Sequence, residues 1–462
     1  MTMSIRAVLE NVDQNLISSL DRLFDLMRIK SISTDPAYKA DCQSCGEWLV
    51  NELNGIGFDA SLRMTPGHPM VVAHDKNAKS GPHVLFYGHY DVQPVDPLDL
   101  WDSDPFAPQI ITMEDGSKRI TGRGSADDKG QLMTFVEACR AYKAVTGALP
   151  CSVTIFFEGE EESGSPSHDG FLESSGDELK ADIALVCDTN MWDRDTPAIT
   201  TTLRGMLGEE ITIKAADMDL HSGYFGGPAI NPIRVLSDIL SKLRDENGAV
   251  TIPGFYDGVL EIPAGIKEIW DGLNFDADAF LGSVGLSEPA GEKDRTVLEQ
   301  IWTRPTCEIC GIWGGYTETG FKTVLPAEAH AKISFRLVGE QDPHKIRENF
   351  RKMVRELLPP DCEVEFIAHG ANPATMLPFD SPWLTKARGA LDEEWGVQTA
   401  MAGIGGSIPV VGDFKTHLGM DSLMVGFGLG DDRIHSPNEK YELKSFHKGI
   451  RSWVRILDAL AD

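Results

Sequence analysis

The sequence predicts an α/β protein in which a mostly parallel sheet is interrupted by an inserted ferredoxin-like α+β domain. Three observations lead there. Short apolar β-runs alternate with amphipathic helical segments over the first two hundred residues. The stretch 203–370 reads instead as β-α-β-β-α-β. His, Asp and Glu residues fall just beyond the apolar runs, where side chains from neighbouring strands can converge.

The N-terminal segment carries Leu9, Val12, Leu16, Leu20, Leu23, Phe24 and Met27 at helical spacing, interrupted by charges. That pattern is an amphipathic helix and not a secretory leader. A second helix follows near 40–56, then strands at 70–74 and 83–87. Residues 131–145 return to a helical period through Leu132, Phe135, Val136, Cys139 and Tyr142. The runs 152–157 and 183–187 are short, β-rich and bounded by charges and glycines, and 422–426 is a further buried strand. Strands alternating with helices imply a parallel sheet covered on both faces.

In the middle of the chain, strands are expected at 209–214, 307–313, 330–338 and 362–368, with helices at 232–244 and 343–358. The reading is therefore a main domain formed by 1–202 and 371–462, and an inserted domain at 203–370. Within the insertion, 251–305 is rich in Gly, Pro and Asp and only weakly periodic, which predicts an irregular excursion.

The formal charge of −29 opposes nucleic-acid binding, because a polyanion needs a basic footprint. No apolar run approaches the length of a membrane span. Eight cysteines scattered over 462 residues argue for a reducing, cytoplasmic setting and against a disulfide framework. Two Cys-x-x-Cys pairs, Cys42/Cys45 and Cys307/Cys310, are read as buried or incidental thiols, because a zinc knuckle would need these distant segments to meet.

The chemistry lies in the residues that follow the strands. His89 follows an apolar run, and Asp91, two residues on, can reach the other imidazole nitrogen. Asp127 opens a helix after a Gly-rich turn, where a carboxylate either bridges two cations or caps the helix. Gly122-x-Gly124 lacks the third glycine of a dinucleotide fingerprint. Glu160, Glu161 and Glu162 crowd three carboxylates at a strand end, a repulsion that cations or raised pKa values relieve. Adjacent side chains diverge, so one can hold a metal while its neighbour faces a water as general base. Asp188 and His435 also follow apolar strands. His and carboxylates converging on one point are what a pair of divalent metals needs.

These motifs resemble the co-catalytic zinc metallopeptidase family of carnosinase, cytosolic nonspecific dipeptidase, aminoacylase, glutamate carboxypeptidase, acetylornithine deacetylase and succinyl-diaminopimelate desuccinylase. The resemblance rests on Gly88-His89-Tyr90-Asp91-Val92-Gln93-Pro94, Trp101-Asp102-Ser103-Asp104-Pro105-Phe106, Gly122-Arg123-Gly124-Ser125-Ala126-Asp127-Asp128-Lys129-Gly130 and Glu161-Glu162-Ser163-Gly164-Ser165. It continues through Asp219-Leu220-His221-Ser222-Gly223, Lys322-Thr323-Val324-Leu325-Pro326, Gly405-Gly406-Ser407-Ile408-Pro409 and His435-Ser436-Pro437-Asn438-Glu439. The stretches at 92–94 and 101–106 resemble the dipeptidase branch more than the deacylases.

The resemblance implies two Zn2+ per subunit, with Mn2+ or Co2+ as alternatives. One metal would take His89, Asp127 and Asp188; the other would take Asp127, Glu162 and His435, with Asp127 bridging before a cis peptide to Asp128. It also implies Glu161 as general base and Asp91 as orienter of His89. The inserted domain would act as lid and dimerisation domain, and His221 would stabilise the oxyanion in the active site of the other subunit of a homodimer. Arg336, an arginine in an apolar strand, suits a substrate carboxylate or a structural one. His369 and the Gly406-Ser407 turn are further substrate candidates. The expected activity is hydrolysis of dipeptides or short peptides with a free C-terminal carboxylate. The alternative substrate is an N-acyl amino acid, cleaved by the same chemistry. A catalytically silent binding protein would have lost a ligand or the base, and none is missing.

Overall fold

Residues 3–78, 81–406 and 408–462 are described by a computed structural model, in which the chain divides into two compact units. The first comprises 1–201, 377–402 and 413–462; the second comprises 202–376 and 403–412.

The first unit is mixed α/β around a mostly parallel central sheet. Its strands run in the order Asp59–Arg63, Met70–Asp75, Ser152–Glu158, His83–His89, Ile183–Val186, Ser422–Met424 and Ala198–Leu203. The middle of the sheet is parallel: His83–His89 pairs in that sense with both Ser152–Glu158 and Ile183–Val186, which in turn pairs with Ser422–Met424. The flanking strands Met70–Asp75 and Ala198–Leu203 join antiparallel.

Successive side chains of His83–His89 show how both faces are covered. Phe86 stacks on Phe135 of helix Lys129–Thr146 at 3.7 Å and meets Trp453 of helix Leu443–Ala461 edge-on at 5.4 Å. Tyr87, on the other face, meets Phe156 and Phe414. Rings of this size on both sides exclude water from the sheet and bring its strand ends into register. His89 lies opposite Glu158 in that register, so the loops after both strands leave from one edge.

The second unit holds a four-stranded antiparallel sheet in the order Thr306–Gly314, Glu328–Leu337, Gly205–Lys214 and Glu363–Asn372. In chain order these strands, with helices Pro232–Ser241 and Pro343–Glu356, follow β-α-β-β-α-β. Gly205–Lys214 alternates strictly between buried and half-exposed residues, so the helices cover one face and leave the other open. Ile211, Leu236, Ile239, Phe335 and Phe350 belong to the core of the covered face.

The excursion 251–305 is more ordered than its composition suggests. It contains the short helices Ala264–Asp271, Ala277–Gly282 and Val297–Trp302, the last opened by a capping box between Thr296 and Glu299. The first of them buries Ile266 and Trp270, one helical turn apart, and the reading as an irregular excursion is corrected accordingly.

Candidate metal centre

The centre is built on the carboxyl-end loops of the parallel strands in the first unit. His89 ends strand His83–His89 and is fully buried. The residue before it is a glycine for a spatial reason: a Cβ on Gly88 would sit 2.7 Å from Asp128 Oδ2 and 3.0 Å from Cys187 Sγ. With that space free, the Asp128 carboxylate accepts the His89 backbone N–H at 3.0 Å and the Cys187 thiol at 3.3 Å. Asp128 immediately precedes helix Lys129–Thr146, and the peptide bond joining it to Asp127 is cis.

Asp127 is shared between two histidines. Its Oδ1 lies 3.1 Å from His89 Nε2, and its Oδ2 lies 3.0 Å from His435 Nε2. His435 Nε2 also faces Glu162 Oε2 at 3.2 Å. His89, Asp127 and Asp188 each offer one donor atom within 4.8 Å of the others, and so do Asp127, Glu162 and His435. The six residues named for metals and base therefore gather in one unit, with Asp127 common to both donor groups.

Asp91 faces the other imidazole nitrogen of His89 through two atoms. The atom nearest His89 Nδ1 is its backbone carbonyl oxygen at 3.1 Å, with carboxylate Oδ1 behind it at 3.4 Å. The Asp91 carboxylate accepts the backbone N–H groups of Glu161 at 3.3 Å and Glu162 at 3.0 Å, so one residue fixes both the imidazole and the acidic turn. Gln93 donates from Nε2 to Glu162 Oε2 at 2.7 Å. Glu160, which the sequence groups with its two neighbours, turns away from them. It is fully buried and accepts the N–H groups of His68 and Ser167, together with the Ser167 hydroxyl.

Electrostatics mark the cluster as short of positive charge. Burial, with the nearby charges of Asp188, Glu162 and Asp91, pushes the Glu161 carboxyl up to about 8 against the pull of His89. Burial and the charge of Asp127 push Asp188 up to about 6. Burial opposes charge on His89, but hydrogen bonds to Asp127 and Asp91 outweigh it and hold its pKa well above the ordinary imidazole range. Contacts with Asp127 and Glu162 raise His435 to about 10. Burial likewise works against the charge of Asp127, yet its two histidines win and keep it ionised.

Glu439 binds the loops together and was not singled out by sequence reasoning. It is fully buried and accepts backbone N–H groups from Gly124 at 3.0 Å, Ala126 at 2.9 Å and Asp127 at 3.2 Å, plus Arg123 Nη1 at 2.7 Å. The loop that carries His435 is thereby fastened to the loop that carries Asp127. Arg433, His435 and Asn438 all have positive φ, so that loop depends on such anchors to keep its shape. The sole sequence signal was the place of Glu439 at the end of the His435-Ser436-Pro437-Asn438-Glu439 motif.

The sequence pattern of Peptidase family M20/M25/M40 matches residues 85–459. The chain belongs to this family. A Cys-Gly metallodipeptidase of Schizosaccharomyces pombe is 30% identical over 486 residues, spanning 100% of this chain and 99% of the relative. A Beta-Ala-His dipeptidase of Rattus norvegicus is 29% identical, covering 84% of this chain and 78% of that one. Among solved structures, the M20 family metallo-carboxypeptidase Sso-CP2 from Sulfolobus solfataricus superposes with a TM-score of 0.80 at 30% identity, covering 96% of this chain and 99% of the other. Family membership makes the chain a peptidase and a hydrolase of metallopeptidase type.

The remaining candidates lie in the second unit. His221 is exposed; its Nδ1 accepts the Gly223 N–H at 2.9 Å, and its ring lies 4.9 Å from Tyr224. The two-residue strand Leu220–His221 pairs with Val324–Leu325, so two of the family-like motifs meet there. Arg336 lies opposite Met206 and Thr306 in the sheet, and its side chain makes no ion pair or hydrogen bond among the described residues. His369 is exposed, with Nε2 3.7 Å from Glu210 Oε2. The Gly406 carbonyl accepts the Arg204 backbone N–H at 3.1 Å. Ser407 lies outside the described residues. Cys42 and Cys45 are buried, Cys307 is buried and Cys310 exposed, and all eight cysteines are free thiols. No helix among the described residues is long and apolar enough to cross a membrane.

Proposed function

We propose that the chain hydrolyses the peptide bond of dipeptides, or of short peptides with a free C-terminal carboxylate, using two divalent cations held around Asp127. The observation that carries this reading is the division of the Asp127 carboxylate, one oxygen toward His89 and the other toward His435. With Asp188 completing one side and Glu162 the other, the residues offer two three-donor sites sharing one ligand. Mixed imidazole and carboxylate donors suit Zn2+, with Mn2+ or Co2+ as alternatives. The raised pKa values of Asp188 and Glu161, caused first by burial and then by neighbouring carboxylates, express a cost of negative charge that such ions relieve. Cations bound there supply Lewis acidity toward a water and toward the scissile carbonyl.

The protein's own part in the reaction follows from its donors. Glu161 is the general base: its carboxylate takes no hydrogen bond from any described residue, and burial makes it more basic than an ordinary glutamate. It takes the proton of the attacking water and passes it to the leaving amine. Asp91 keeps His89 in one orientation. Arg336, free of partners among the described residues, suits the C-terminal carboxylate of the substrate, with His369, Gly406 and Ser407 as further contacts. The second unit serves as lid and dimerisation domain of a homodimer, and His221 completes the site of the partner subunit. The dipeptidase names of the full-length relatives support a substrate of this size, and the free thiols support a cytoplasmic setting.

The test is hydrolysis of a panel of dipeptides and acetyl- or succinyl-amino acids by metal-stripped protein, with Zn2+, Mn2+ or Co2+ added back. The expected result is dipeptide cleavage restored by metal. Cleavage of acyl substrates alone moves the chain to the deacylases, and metal-independent cleavage removes the mechanism. Mixed dimers of His221→Ala with a His89→Ala subunit should regain part of the lost activity if His221 acts across the dimer.

A further inference from the structure

A second cluster of metal-binding side chains lies elsewhere in the first unit. His168 and Asp169 open helix His168–Leu179, while Asp413 and His417 come from the π-helical turn Phe414–Leu418 and the residue before it. His168 Nδ1 is 3.0 Å from Asp413 Oδ2, and His417 Nε2 is 3.6 Å from Asp169 Oδ1. His168, Asp169 and Asp413 each offer a donor atom within 4.8 Å of the others; His417 stands outside that group and joins it through Asp169.

Further features suit a cation. Asp413 and His417 are four residues apart on successive helical turns, the separation that puts two ligands on one helix face. A π-helical turn is an uncommon device that recurs at functional sites. The imidazole of His168 is held in place before any ion arrives: the residue is 2% exposed, and its ring stacks on Phe156 at 5.8 Å with Phe414 at 6.2 Å. A histidine ligating through Nδ1 keeps its proton on Nε2 and directs it at a carboxylate or water behind. Among the described residues His168 Nε2 is buried without a partner, and the charge of Glu158 acts on the same imidazole. Asp169 is 76% exposed, which leaves a path for entry and room for water. The helix N-terminus opposes a cation here, and the two carboxylates offset it.

We propose that His168, Asp169, Asp413 and His417 form a cation site separate from the Asp127 cluster, suited to a borderline divalent ion such as Zn2+, Ni2+ or Cu2+. Two nitrogens and two carboxylate oxygens match that class better than Ca2+ or Mg2+. An ion there ties helix His168–Leu179 to Phe414–Leu418, the turn by which the chain returns to the first unit after Gly412. Its role is to fasten that return, and it does not depend on the hydrolytic reading.

The experiment counts zinc in untagged protein equilibrated against a micromolar zinc buffer, using mass spectrometry of the metal. Wild type is compared with the double variant Asp169→Ala/His417→Ala, which leaves the buried His168 and the Asp127 cluster intact. The expected result is one zinc equivalent fewer in the variant, whatever the occupancy of the Asp127 cluster. Added zinc should also raise the melting temperature less in the variant than in wild type, while zinc-restored dipeptide hydrolysis stays unchanged. Equal zinc content in the two proteins overturns the proposal.

Discussion

Around Asp127, nearly every group is fixed from several sides: Asp91 by two backbone amides, the Asp127 loop by Glu439, and the backbone of His89 by Asp128. In the second unit, the Arg336 side chain stands without a partner among the described residues, and His369 and His221 are exposed. The difference follows from what each region has to do. A cluster of like charges can exist only where buried dipoles and packed strands hold it in place. Groups that meet a substrate or another subunit gain by leaving their hydrogen-bonding capacity open. On the proposed function, the first region supplies the chemistry and the second selects the molecule brought to it.

Four substitutions or conditions would break or sharpen this contrast. The largest effect is expected for Glu161→Gln, which should lower kcat by about 10²–10⁴-fold while metal content stays at the wild-type value. Normal turnover would remove Glu161 as the base. Arg336→Met should lower kcat/KM for dipeptides on the order of 10–100-fold, mostly through KM, as expected for loss of a charge-assisted contact. The same variant should leave the already poor cleavage of dipeptide amides unchanged; equal losses on acid and amide would show that Arg336 does not read the carboxylate.

Glu439→Gln should weaken metal binding by about 10-fold, measured by competition with a chelator. Its amide can still fill the space but cannot accept all four donors now gathered on the carboxylate. Unchanged affinity would mean that the two loops hold their positions without it.

The smallest effect is a pH dependence of the metal-free protein. Burial raises Glu161 from 4.5 to about 8 and Asp188 from 3.8 to about 6, so between these values the folded state binds more protons than the unfolded one. Stability then falls as pH rises. His435 acts in the same direction: its raised pKa of about 10 represents stabilisation that is complete below the ordinary value of 6.5 and lost as pH climbs through about 10. The melting temperature of metal-free protein should therefore fall from about pH 5 to about pH 8, and saturating zinc should flatten the slope. A metal-free protein that grows more stable over that range would contradict the charge balance described for the cluster.

Much of this arrangement was legible in the sequence because it is local. A short apolar run followed by His89, or by Asp188, announces a strand and the group at its end. The alternating strand Gly205–Lys214 and the amphipathic helix Pro343–Glu356 announce the second sheet in the same way. Long-range contacts leave no such mark. Glu439 meets Asp127 across 312 residues of chain. The same limit explains Glu160: three consecutive glutamates look alike in sequence, and only the fold shows that the first is a buried hydrogen-bond acceptor in a separate network. The helices of 251–305 are short and lie among glycines, prolines and aspartates, although the capping pair Thr296 and Glu299, and Ile266 and Trp270 one turn apart, were visible in the text of the sequence.

The central claim is that Asp127 is shared between two cations. Anomalous diffraction from zinc-loaded crystals, recorded on both sides of the zinc absorption edge, tests it most directly. The account predicts two peaks flanking the Asp127 carboxylate, one beside His89 and Asp188 and the other beside Glu162 and His435. A single peak at that carboxylate, or none, would contradict it.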